Sequence, residues 1–146
     1  MTFFRTAAIT AGIGLAAPAF AQDQLSPAEQ IVGFWQLRTP QGVVVTEDEF
    51  TSQIIFSDNG LMAVQAMSPD PEGESAYMRA GYEAYYGTYE VDEAAGTVTF
   101  AVESAIARDL IGQELERNLV VSENELTLTP TNPEETWSVT YERRQE

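Results

Sequence analysis

From Gly33 onward, apolar and polar side chains alternate in short runs separated by turn-forming residues. Gly33 to Arg38 places Gly33, Trp35 and Leu37 on one side, and Val43 to Thr46 is short and β-branched. Thr51 to Ser57 leads through Asp58-Asn59-Gly60, a hairpin turn, into Leu61 to Met67. Gly87 to Val91 passes through Asp92 to Gly96 into Thr97 to Glu103, and Gln113 to Val121 turns at Ser122-Glu123-Asn124 into Glu125 to Thr129. Thr136 to Glu142 is the last such run. A side-chain period of two predicts about nine strands, mostly joined by short turns.

Three segments depart from that period. Ser26-Pro27-Ala28-Glu29 combines an N-cap serine, proline in the first helical position and a capping-box glutamate, so it opens one or two helical turns that end near Gly33. Pro69 to Tyr85 begins as a loop and predicts a helix over 72–85, with Tyr77, Gly81 and Tyr85 on one stripe and Met78 and Tyr82 beside it. Gly81 costs such a helix about 1 kcal/mol relative to alanine, so packing must hold it. Ser104 to Ile111 is either an irregular crossover or a helical turn. An all-β chain of this kind either stacks two sheets or closes on itself. The succession of adjacent hairpins favours an antiparallel up-and-down β-barrel of about eight to nine strands, because closure removes exposed edges. A two-sheet sandwich is the alternative.

The beginning of the chain has a different character. Arg5 precedes a short apolar run, Ala7 to Ala17, and Ala19-Phe20-Ala21 has the small-x-small form of a cleavage site. Residues 1–21 therefore read as a secretory signal peptide and 22–146 as one exported domain, periplasmic or extracellular. The run is too short for a membrane span, which needs about 18 apolar residues, so no stable membrane anchor is expected after cleavage.

Composition narrows the chemistry. The 146 residues carry seven Arg, no Lys, 23 acids and a formal net charge of -16, with no Cys and no His. A thiol nucleophile, a zinc site, a disulfide, a haem ligand and a Ser-His-Asp triad are all excluded. So are a Schiff-base lysine and a P-loop lysine. The negative charge disfavours nucleic acid as a partner. No cofactor is called for. The acidic clusters at Glu47-Asp48-Glu49, Glu72-Gly73-Glu74 and Glu134-Glu135 lack the ligand spacing of a calcium loop and read as solvated faces, so no metal is expected. With so many acids, carboxylate pairs of the glycosidase type are available, but nothing singles one out.

Strand parity picks out inward positions. In Gln113 to Val121, Leu115, Leu119 and Val121 share a face with Arg117, while Glu114, Glu116 and Asn118 take the other. An inward guanidinium needs a partner, since burying it unpaired costs several kcal/mol. That partner is a ligand's carboxylate or enolate, a permanent acidic side chain or carbonyl, or water at the barrel mouth. Trp137, Val139, Tyr141 and Arg143 share a face of the last run, and Val98, Phe100, Val102, Tyr89, Val91, Leu126 and Leu128 also point inward. Such side chains fill a core or form a ligand wall, the core being the commoner use of any single one. The expected ligand-binding set is Arg117, Tyr89, Phe100, Leu115, Leu119 and Trp137; no catalytic residue is assigned.

Several of these pieces resemble a known family. Ile31-Val32-Gly33-Phe34-Trp35 carries the Gly-x-Trp that opens the first strand of lipocalins and related calycin barrels. The block Gly81 to Asp92 (GYEAYYGTYEVD) is similar to the central signature of the bacterial and fungal lipocalin-like domain family. The likeness continues through Gly96-Thr97-Val98-Thr99, Val102-Glu103, Gly112, Arg117 and Leu126-Thr127-Leu128. It implies an up-and-down barrel with a closed end at Gly33 and Trp35, across which a late basic residue packs. Arg143 and Arg144 are the candidates, and strand parity prefers Arg143. It carries over no reaction, and where members often have His after Thr99 this chain has Phe100. Three readings follow: a container for a small hydrophobic or amphiphilic molecule, an isomerase or cyclase using the same cavity through Tyr89 and Arg117, and a filled barrel acting through its surface.

Overall fold

The computed structural model describes residues 24–38 and 50–145. Eight antiparallel strands close into a barrel in strict sequence order: β1 (Gly33–Leu37), β2 (Thr51–Phe56), β3 (Leu61–Met67), β4 (Tyr82–Asp92), β5 (Thr97–Ala105), β6 (Glu114–Val121), β7 (Glu125–Pro130) and β8 (Val139–Arg143). The up-and-down barrel expected from the hairpin succession is what forms, and the sandwich is not. The ninth strand candidate, Val43 to Thr46, lies outside the described residues, as do the proposed signal segment 1–21 and the cluster Glu47-Asp48-Glu49.

The barrel's inner wall follows the alternation. On β6, Leu115, Arg117 and Leu119 are buried between exposed Glu114, Glu116 and Asn118. Val98, Phe100 and Val102 on β5 and Leu126 and Leu128 on β7 supply the facing rows. The β4–β5 pairing shifts register between Tyr86 and Gly87. There the two backbones approach so closely that a side chain on Gly87 would overlap the Ala101 carbonyl oxygen.

Closure rests on β1 and β8, which meet with Trp35 directly opposite Arg143. A short helix, α1 (Pro27–Gln30), carries the expected capping box between Ser26 and Glu29 and leads into fully buried Ile31. Trp35 is 1% exposed and donates its indole N–H to the Ile31 carbonyl at 2.8 Å. The Arg143 guanidinium lies 4.2 Å from the Trp35 ring centroid and donates to the backbone carbonyls of Gln30, Val32 and Glu123. A cation over indole contributes about 0.5–2 kcal/mol. Its own hydrogen bonds also tie α1 and the β6–β7 turn to the strand ends. Gly33 is obligatory beside this group: its φ is +140°, and a Cβ there would collide with Nη1 of Arg143.

The helix expected over 72–85 is absent. Residues 68–81 form an irregular excursion, and β4 begins at Tyr82. Pro69 and Pro71 remove amide donors at its start, and a tight turn with positive φ at Ala80 (50°) and Gly81 (71°) ends it. The segment from Tyr82 to Thr88 instead gains a full antiparallel ladder with Leu61–Met67. Sheet pairing at every residue outweighs a helix interrupted by two glycines. The unresolved choice over Ser104 to Ile111 resolves into the end of β5 followed by a 3-10 turn at Arg108–Leu110.

Replacing Gly33 with alanine should destabilise the fold by about 1–3 kcal/mol, because strain at positive φ adds to the clash with Arg143. Urea denaturation followed by circular dichroism measures it. A midpoint equal to that of the unaltered chain would mean that Arg143 does not lie over the first strand.

Candidate functional site

The barrel interior holds a hollow that Arg143 does not line. A cavity of about 260 Å³ is walled by Ile54, Val64, Phe100, Leu128, Val139 and other apolar side chains, and polar atoms reach it from Ser52, Tyr77, Glu83, Tyr85, Arg117 and Tyr141. Mostly apolar walls with a few convergent polar groups are the usual make-up of a small-molecule site, at a volume just below the common range of about 300–1,000 Å³.

Arg117 is delivered to this cavity by the parity of β6 and is 7% exposed. Its partners are neither a carboxylate nor bulk water. Nη2 donates to the Tyr77 hydroxyl at 2.9 Å and Nη1 to the Glu116 carbonyl at 3.0 Å. The guanidinium carbon lies 5.3 Å from the Tyr77 ring centroid and 5.0 Å from that of Trp137. Among the described residues no carboxylate oxygen comes within 4.0 Å of it. The Tyr77 hydroxyl passes the chain of bonds on to Glu135 at 3.2 Å, and the Trp137 indole donates to the same Glu135 oxygen at 2.7 Å. The Trp137 hydrogen bond, and after it the Tyr77 hydroxyl and the Arg117 charge, outweigh burial and hold the Glu135 carboxyl below its ordinary range. The irregular excursion is thus fastened to the barrel through Tyr77. A guanidinium has five N–H donors, and those beyond the two bonds above have no acceptor among the described residues.

Glu83 and Tyr85 enter the cavity from neighbouring inward positions of β4. Glu83 accepts no hydrogen bond and no ion pair at 4.0 Å or less from any described residue. Burial lifts its carboxyl to a pKa of about 7, against the lowering pull of Arg117. Tyr85 is 7% exposed, and its hydroxyl is without a partner among the described residues. Burial first, and then the adjacent Glu83, drive its pKa well above 10. The other buried phenol, Tyr141, shares a hydrogen bond with Ser52 at 3.3 Å and is pushed up to about 12 by burial. Free and paired polar groups therefore stand side by side in one apolar chamber.

Of the residues expected to bind a ligand, Arg117, Phe100 and Trp137 line this cavity, and Tyr89, Leu115 and Leu119 do not. Tyr89 is turned towards the other end, where its hydroxyl donates to the Ser57 carbonyl at 2.8 Å and its ring meets the edge of Phe56 at 4.9 Å. Leu115 and Leu119 belong to the packed core. Their parity is inward as expected, but on either side of Arg117 both are taken up by packing in the core. Trp137 precedes β8 rather than lying within it. Glu83 and Tyr85 were missed because both fell in the stretch read as helix. Continuing the alternation of Val91, Tyr89 and Gly87 backwards reaches both of them.

A family model described as a lipocalin-like domain matches residues 38–144. Among solved structures, the chain is similar to a protein from Bacteroides thetaiotaomicron determined by NMR, at 12% identity and a TM-score of 0.48, over 86% of this chain and 100% of that one. It is also similar to a lipocalin-like protein from Bacteroides uniformis, at 12% identity and a TM-score of 0.44, over 80% of this chain and 99% of that one. No curated protein matches. The family match begins just past β1 and so leaves out Gly33 and Trp35, but it covers β2 to β8, Arg143 and every residue lining the cavity; the chain belongs to the lipocalin-like domain family.

Proposed function

We propose that this barrel holds a small, mostly apolar molecule in its interior, with the polar end of the guest at Arg117, Glu83 and Tyr85, and that it does so outside the cytoplasm as residues 22–146. The observation that carries the reading is the 260 Å³ cavity with buried polar groups still lacking partners. A filled barrel would have neither the space nor the unsatisfied groups, since buried polar atoms in a finished core are almost always hydrogen-bonded. The lipocalin-like fold is a binding-type architecture in general; the guest is read from the site itself. A cavity of this size takes one or two rings, not a long acyl chain. The partnerless Glu83 and the overall charge of -16 disfavour multiply charged anions and favour neutral amphiphiles. Export is supported by Arg5, the apolar run Ala7 to Ala17 and Ala19-Phe20-Ala21.

Calorimetric titration with 1-naphthol, two fused rings with one hydroxyl, tests the container. Binding should weaken at least ~10-fold in Leu128→Trp, which fills the hollow, and by roughly 3- to 10-fold in Arg117→Leu, which removes a charged hydrogen-bond donor. Equal affinity in all three chains would place the ligand outside the barrel. The mass of the chain recovered from the periplasm or medium of an expressing bacterium should correspond to a start at Gln22. A full-length chain retained in the cytoplasm would contradict export.

A further inference from the structure

Two of the side chains placed at the guest's polar end have no partner among the described residues. Glu83 has no hydrogen-bonding or ionic partner among the described residues, and Tyr85, more than nine-tenths buried, has a free hydroxyl. They are not scattered: two residues apart on one strand, they share the inward face with backbones about 6–7 Å apart. A carboxylate and a phenol so placed bracket a carbon acid, with the base at the C–H and the hydroxyl at the oxygen that takes up the charge.

Building on the container reading, we propose that the chamber is a proton-transfer site in which Glu83 takes a proton from the carbon between the carbonyl and the C=C of a small, otherwise apolar β,γ-unsaturated ketone, while Tyr85 hydrogen-bonds the developing dienolate oxygen. The C–H bond breaks and its electron pair forms the enolate C=C. The carbonyl π pair moves to oxygen, and the proton rests on a Glu83 carboxyl oxygen. Return of that proton to another carbon of the conjugated system forms a new C–H bond and restores the carbonyl. The net change is an isomerisation that consumes no oxidant, reductant or metal. The chain's lack of Cys, His and Lys is no obstacle to it.

The surroundings suit the role. The other charged or titratable groups on the cavity wall are Tyr77 from the excursion, Tyr85 on β4, Arg117 on β6 and Tyr141 on β8; β2, β3, β5 and β7 contribute Ser52 and apolar side chains. Arg117 is the only cation among them, and it is held back by Tyr77 and the Glu116 carbonyl rather than paired with Glu83. A carboxyl lifted to about 7 is ionised just above neutrality and is a stronger base than an ordinary glutamate. Tyr141 is already engaged with Ser52, whereas Tyr85 is free to donate.

The probe is 5-nitrobenzisoxazole, a flat bicyclic carbon acid small enough for the cavity. Loss of its C3 proton to a base forms the C≡N bond, breaks N–O and releases 2-cyano-4-nitrophenolate, which is followed by absorbance. Binding is read independently by quenching of Trp137 fluorescence. The full chain should give saturable turnover that rises with pH and levels off above about 7. Glu83→Gln should bind with turnover reduced by about 100-fold or more, and Tyr85→Phe should lose roughly 10-fold without moving the pH inflection. Glu83→Asp keeps the charge but draws it back by one methylene; it should bind and lose roughly 10-fold, which guards against misfolding of the glutamine variant. Quenching with equal turnover in the unaltered and Glu83→Gln chains, or an inflection at the ordinary carboxylate value, overturns the proposal and leaves the container standing. No quenching in any of the chains defeats both.

Discussion

The barrel exists as an enclosure only because its first and last strands meet, in three cross-strand pairs of which the outermost sets Trp35 against Arg143. The other neighbours along the sheet are joined by sequence, so their pairing is local. The β1–β8 pairing must instead bring together the two ends of the sheet. A plain hydrophobic contact would not fix its register, because a slip of one residue turns every side chain to the other face. A guanidinium stacked on an indole and tied to three backbone carbonyls fixes it through directional bonds. Gly33 belongs to the same device, since any side chain there would occupy the place of the guanidinium. With that end plugged, the polar groups on the inward rows farther along the strands face a chamber rather than water.

The two arginines on inward-facing rows have opposite roles. Arg143 is consumed by closure. Arg117 spends part of its bonding capacity on Tyr77 and Glu116 and lies near two aromatic rings, thereby holding the 68–81 excursion against the barrel. Glu83 lies close enough for Arg117 to lower its pKa somewhat, yet burial wins and the carboxyl titrates near neutrality. A fully formed ion pair between them would have lowered that carboxyl instead and removed both groups from use. Keeping the pair apart leaves charge, and the capacity to recognise a guest, unspent in the interior.

Much of the architecture was legible in the residues. β5 to β8 are amphipathic with period two, so the inward places of Phe100, Arg117 and Leu128 follow from counting. The capping box at Ser26 is a local signal and reads locally. The segment 72–85 misled because Tyr77, Gly81 and Tyr85 recur every four residues while, from Tyr82, the same residues also satisfy a two-residue repeat. Only the partner strand, Leu61–Met67, decides between the two. Depth along the barrel was likewise illegible. Tyr89 and Tyr85 have identical parity on β4, but strand tilt and register send one to Ser57 at the packed end and leave the other in the cavity. Whether Arg117 had a permanent partner depended on Tyr77, forty residues away and outside any strand.

What sets this molecule apart from a merely packed barrel is a partly buried carboxyl held without a partner in a mostly apolar cavity, and that state can be observed directly. The 13C chemical shifts of the glutamate carboxyl carbons, followed from pH 3 to 9 with Glu83 assigned by its absence in Glu83→Gln, report it residue by residue. The expected result is a Glu83 midpoint near 7. A Glu83 midpoint at the ordinary glutamate value of 4.5 would mean a carboxyl in water or in an ion pair, and the polar chamber would not exist.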